Sequence, residues 1–192
     1  MVRRSIAPCM LALLVVAALF DAGWADAEKS VPRPAGSIII TGEIDDRVLL
    51  TFDEFSALPL SIQTVTVSFL AGSSHETHTF TGFLLYDLLN FLHPQFDPAV
   101  KNDKLRFYVS ATGTDGYQAI VAWGEFDPGF EAKQILLAIT QDGQSHSQEG
   151  VRLVVPDDIH GGRYVSLIDI VSLDRARQPA CDRKKPLNSP KC

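Results

Sequence analysis

Apolar and polar residues change places at every second position along 64–69. Thr64, Thr66 and Ser68 fall on one face, and Val65, Val67 and Phe69 on the other. That period belongs to a half-buried β-strand. Residues 105–111 alternate in the same way, and 117–121 follow after the turn-forming run Thr112-Gly113-Thr114-Asp115-Gly116, which predicts a hairpin. Extended segments are also expected over 37–44, 77–81, 135–140, 151–155 and 164–173, with a turn at Asp142-Gly143. Two stretches break from period two. Leu84, Leu85, Leu88, Leu89 and Leu92 form one helical stripe that Pro94 ends. Thr51-Phe52-Asp53-Glu54 has the spacing of a capping box, so a short helix is predicted to run to Leu58 and stop at Pro59. Short strands with two inserted helices predict a mixed α+β domain over 37–174.

The ends of the chain read differently. Arg3 and Arg4 precede an apolar run over 10–20, and Ala25-Asp26-Ala27 then supplies the small-x-small pattern that a signal peptidase cuts. The run is about half the roughly 20 residues needed to span a membrane. A signal peptide over 1–27 is therefore expected, giving a periplasmic or secreted protein without a membrane span after its removal. Cys9 precedes the apolar run and so does not match a lipid-attachment cysteine. Residues 28–36 form a polar leader, and 175–192 a polar tail with Cys181 and Cys192. In an oxidising compartment such a pair is expected to form a disulfide. The formal net charge is −6. No basic face interleaved with aromatics occurs, which argues against a nucleic-acid partner.

Candidate chemistry is sparse. His75-Glu76-Thr77-His78 has its histidines three apart, whereas a zincin needs them four apart on a helix, so a polar hairpin loop is the expectation and no metal ligand is assigned. Neither GxSxG nor a P-loop occurs. The segment VPDDIHGGRYV, residues 155–165, is more distinctive. Backbone N–H groups around Gly161 and Gly162 offer an anion nest, and Arg163 offers a two-pronged guanidinium. A glycine-rich connection with a surface arginine fits the same residues.

Four stretches, in order, resemble the molybdopterin-binding domain of sulfite oxidase-type enzymes. TVTVSFLAG is similar to the metal-ligand strand of that family, and HTFTGFLLYDLLNFL to its Thr-Gly segment and following helix. ATGTDGY is similar to its Asp-Gly-Tyr hairpin, and ILLAITQDGQSHSQEGVRLVVPDDIHGGRYVSLIDI to its C-terminal half. The resemblance implies a mixed, barrel-like α+β fold. It makes residues 155–165 the pterin-phosphate loop, with His160, Gly161, Gly162 and Arg163 as its cofactor-binding residues. Three family features are missing. Leu70 stands where a cysteine thiolate binds molybdenum, Glu149 where a histidine is expected, and Ser166 where a lysine is expected. Leucine has no donor for a metal, and an acid and a neutral group in place of two bases disfavour a polyanion. Two readings follow. One is an exported, non-catalytic binding or accessory module of a redox system, taking a small anionic ligand or a redox partner protein. The other is an oxidoreductase that keeps molybdopterin through Arg163 and its loop. Leu70 favours the first, with no cofactor.

Overall fold

The structure is a computed structural model that describes residues 34–177. The expected signal peptide, most of the leader and the Cys181–Cys192 pair lie outside the described residues. The elements are β1 (Ile38–Gly42), β2 (Val48–Leu50), α1 (Phe52–Ser56), β3 (Ile62–Ala71), β4 (Ser74–Leu84), α2 (Leu85–Phe91), β5 (Phe107–Gly113), β6 (Gln118–Ala122), α3 (Trp123–Phe126), β7 (Leu136–Gln141), β8 (Gln144–Ser145), β9 (Arg152–Val154) and β10 (Ile168–Arg175). Few helices and two sheets make the mixed α+β domain that the alternation predicts. One sheet has the order β2-β1-β10-β5-β6, and the other the order β3-β4-β7-β8 with β9 also on β7. β1 and β10 are parallel; the other paired strands are antiparallel.

Local chemistry explains the element ends. The Thr51 N–H donates to Glu54 Oε2 at 2.8 Å, and the Glu54 N–H donates to Thr51 Oγ1 at 3.3 Å, closing the capping box that starts α1. That helix ends at Ser56, two residues short of expectation. Leu85, Leu88 and Leu89 are buried on α2, as the leucine stripe requires. They join the main core with Ile38, Val109 and Leu173 of the first sheet and Phe83, Leu137 and Leu153 of the second.

The polar stretch around His75 is not a loop. It lies inside β4, and the hairpin turn falls at Gly72-Ser73, with Ala71 paired to Ser74. Its hydroxyl residues sit on an exposed strand face, where Thr64, Thr66 and Ser68 meet Thr81, Thr79 and Thr77 side chain to side chain at 2.7–3.0 Å. A strand also sets His75 and His78 on opposite faces. The other face of the β3–β4 pair builds a second, smaller core from Val67, Phe80, Leu136, Ala138 and Val154, with Phe69 and Tyr164 packed against it.

Candidate functional site

Residues 155–165 leave β9 and reach the outer edge of β3. The Leu70 N–H donates to the Ile159 carbonyl at 2.8 Å, and Leu70 and His160 form an isolated parallel bridge. Gly161–Arg163 then make a single 3-10 turn. The Leu153 N–H donates to the Val165 carbonyl at 2.9 Å, tying the far end of the segment down. The Tyr117 hydroxyl donates to the Gly162 carbonyl. The segment is thus fixed at several points along its length.

The two glycines have different reasons to be there. A Cβ on Gly161 would lie 2.8 Å from two Phe69 ring carbons, whereas one on Gly162 would meet nothing within 4 Å. Neither has a positive φ; Asp157, at 65°, is the left-handed residue of the segment. The alternation of right- and left-handed residues that aims successive N–H groups at an anion is therefore not carried by Gly161-Gly162.

Arg163 is engaged within the protein. Its Nε and Nη2 donate to Asp158 at 2.8 and 2.7 Å, a bidentate fork. Its Nη1 donates to Glu125 at 2.9 Å. The Asp158 hydrogen bonds, then Glu125, hold its pKa above the ordinary arginine value. Lys133 also lies 3.9 Å from Glu125, and an incoming phosphate would have to displace both carboxylates to reach the guanidinium. His160 is exposed, and its backbone bridges Leu70. The structure thus brings His160, Gly161, Gly162 and Arg163 into one turn, with the guanidinium committed to Asp158 and Glu125.

Leu70 is half-buried at the end of β3. Phe69 beside it stacks on Tyr164 with ring centroids 4.5 Å apart. Burial pushes the Tyr164 phenol up to about 12. Ser166 accepts from Arg152 Nε at 2.9 Å, and Gln141 Oε1 accepts from Arg152 Nη1 at 2.6 Å. Arg152 lies 5.9 Å from the Phe80 ring centroid, and burial lowers its pKa. Its role was legible only as one cation in the apolar run VRLVV. Glu149 Oε2 accepts from His146 Nδ1 at 3.2 Å. The residues at the two altered basic positions are therefore both engaged by neighbours.

His78 carries a further ionisable cluster. Its Nδ1 is 2.7 Å from Asp142 Oδ2, and its Nε2 is 3.3 Å from Glu76 Oε2. The Asp142 hydrogen bond leads in raising its pKa. Among the described residues, no group of three or more His, Cys, Asp or Glu side chains is arranged to hold a metal ion. A groove of about 560 Å³ is lined by Thr64, Val65 and Thr66 of β3 together with residues 131–134, Pro156 and Asp157.

No protein-family model and no curated protein matches the chain. Among solved structures, the sulfane dehydrogenase SoxCD from Paracoccus pantotrophus is similar, at 16% identity over 75% of this chain, with a TM-score of 0.55. The match spans 40% of that protein's chain. At this identity the likeness is one of fold, and this chain is a mixed α+β domain of two sheets that shares it.

Proposed function

We propose that the chain is an exported, non-catalytic binding or accessory module of a redox system, built on a sulfite oxidase-type scaffold. Two independent likenesses support the scaffold: the ordered sequence motifs, and the fold shared with a sulfane dehydrogenase. One observation carries the loss of catalysis: the residues that would face molybdopterin do not suit it. Leu70 offers no thiolate, and its N–H is bonded to Ile159. The Arg163 guanidinium is bonded to Asp158 and Glu125, and Ser166 is bonded to Arg152. A polyanionic cofactor would have to displace two carboxylates from Arg163 and desolvate its own phosphate against them. The partner is then a protein or a small ligand that does not depend on a free cation in this loop.

The likeness to a dehydrogenase favours a second reading, an oxidoreductase holding molybdopterin through Arg163 and the adjacent turn. The two are separated by the fluorescence of oxidised pterin released from protein made in a host that synthesises the cofactor. The module predicts none above background. Stoichiometric pterin would contradict a module without cofactor, and molybdenum with it would favour the oxidoreductase reading. Export is tested on the same preparation: N-terminal sequencing of the exported fraction should begin at Glu28, and an uncut Met1 chain in the membrane would contradict it.

A further inference from the structure

The outer edge of β3 is an open ladder. Leu70 donates its N–H to Ile159, away from β4. Main-chain groups on a strand alternate sides, so Thr64, Thr66 and Ser68 also turn their N–H and C=O away from β4. The hydroxyls of Thr64 and Thr66 are bonded to Thr81 and Thr79 at 2.9 and 3.0 Å. What these residues offer the groove is therefore main chain. Among the described residues, the outward backbone groups of Thr64, Thr66 and Ser68 have no hydrogen-bond partner. Edge strands are usually blunted by lysine, proline or a bulge. Residues 62–70 contain no charge and no proline, and β3 pairs with β4 without a register shift.

Charge narrows the choice of occupant. Ala132 and Asp157, which both line the groove, are non-glycine residues held left-handed, at φ 58° and 65°. Lys133 lies 3.3 Å from Glu131. Asp157 is exposed, and among the described residues it has no ion pair. The unpaired charge at the groove is thus negative, and the complement is a basic side chain.

We propose that this edge, from Thr64 to Ser68, takes up an extended segment of a partner protein as an added strand, with a lysine or arginine of that segment meeting Asp157. Alternate residues of the segment would pack on the Val65 and Pro156 side, so an apolar period of two is expected. The inference rests on the binding-module reading and names its partner class. Bound pterin would overturn that reading without touching the groove, and a silent groove would leave the pterin result standing.

The test is panning of a random phage-displayed heptapeptide library on the mature protein, with Thr66→Pro and Asp157→Asn alongside. Proline at an edge position removes the outward N–H, with the Thr66 hydroxyl that meets Thr79 lost as well, and asparagine keeps the left-handed backbone at 157. Enriched peptides should alternate apolar and polar residues around one base. They should lose binding to Thr66→Pro, and bind Asp157→Asn roughly two- to fivefold more weakly, the yield of an exposed ion pair. An enriched peptide should slow amide exchange at Thr64 and Thr66, and its copy N-methylated at the pairing amides should not. No enrichment, or enrichment that both variants and the N-methylated copy retain, overturns the proposal. So does a concentration-dependent dimer that Thr66→Pro abolishes, since the edge would then serve a second copy. If Thr66→Pro does not fold, Asp157→Asn and the N-methylated peptide decide.

Discussion

At Arg163, one nearby and one distant carboxylate from earlier in the chain converge on one guanidinium. Asp158 lies five residues before it and supplies the bidentate fork, while Glu125 comes from α3. The side chain is 30% exposed, so its charge-assisted bonds are only partly screened. Arg163→Ala should leave two carboxylates facing each other and lower stability by about 1–3 kcal/mol, read from urea unfolding. Inorganic phosphate should show no saturable heat of binding to the wild type; saturable binding that the variant loses would restore the arginine as an anion grip. The two glycines make a matched pair. Gly161→Ala drives a methyl into the Phe69 ring and should cost about 1–3 kcal/mol, whereas Gly162→Ala, facing open space, should fold as the wild type does. Equal effects in thermal unfolding would show that the turn packs differently. Arg163 and its loop were legible in the sequence as a distinctive cluster. Its partner Glu125 was not, because 38 residues separate the two and no local pattern links them.

Strands and turns set the pH response. His78 on β4 binds Asp142 in the turn between β7 and β8, and its pKa is raised, with that hydrogen bond first among the causes. Between the unfolded histidine value, about 6.5, and the raised folded value, the folded state holds the extra proton. Stability therefore falls as pH rises through that window. His146 acts oppositely. Burial, then Arg152, lowers its pKa, so between the lowered value and about 6.5 the unfolded state holds the extra proton and stability falls as pH drops. The carboxylates with lowered pKa values act below about pH 4.5. Urea midpoints should peak near pH 6.5, and His78→Gln should flatten the alkaline side alone. A variant with an unchanged profile would remove His78 from this role. Elements with long patterns were readable in advance: the β3 alternation, the α2 leucines and the capping box of α1 each stand where the residues put them. β2 and α3 were not, since three or four residues do not complete a period. The His75 stretch misled for a physical reason. Serine and threonine usually mark loops, but here they pave the exposed face of a strand pair and bond one another across it.

For the whole molecule, the main core spans both sheets, and the smaller one packs against Phe69 of β3 and Tyr164 of the 155–165 segment. Fold class was legible because alternation and leucine spacing mark the longer elements, which outnumber the short ones. The state of the candidate site was legible only in part: Leu70 announces a missing thiolate, while the pairing of Arg163 and the open β3 edge are products of tertiary structure. Together they are what the proposed reading rests on: a mixed α+β domain whose candidate-site residues have turned to one another. The most direct test is the molybdenum content of the mature protein, measured by elemental analysis after gel filtration from a host that makes the cofactor. The account predicts molybdenum at background, far below one atom per chain. A value near one atom per chain would contradict it and make the protein an oxidoreductase.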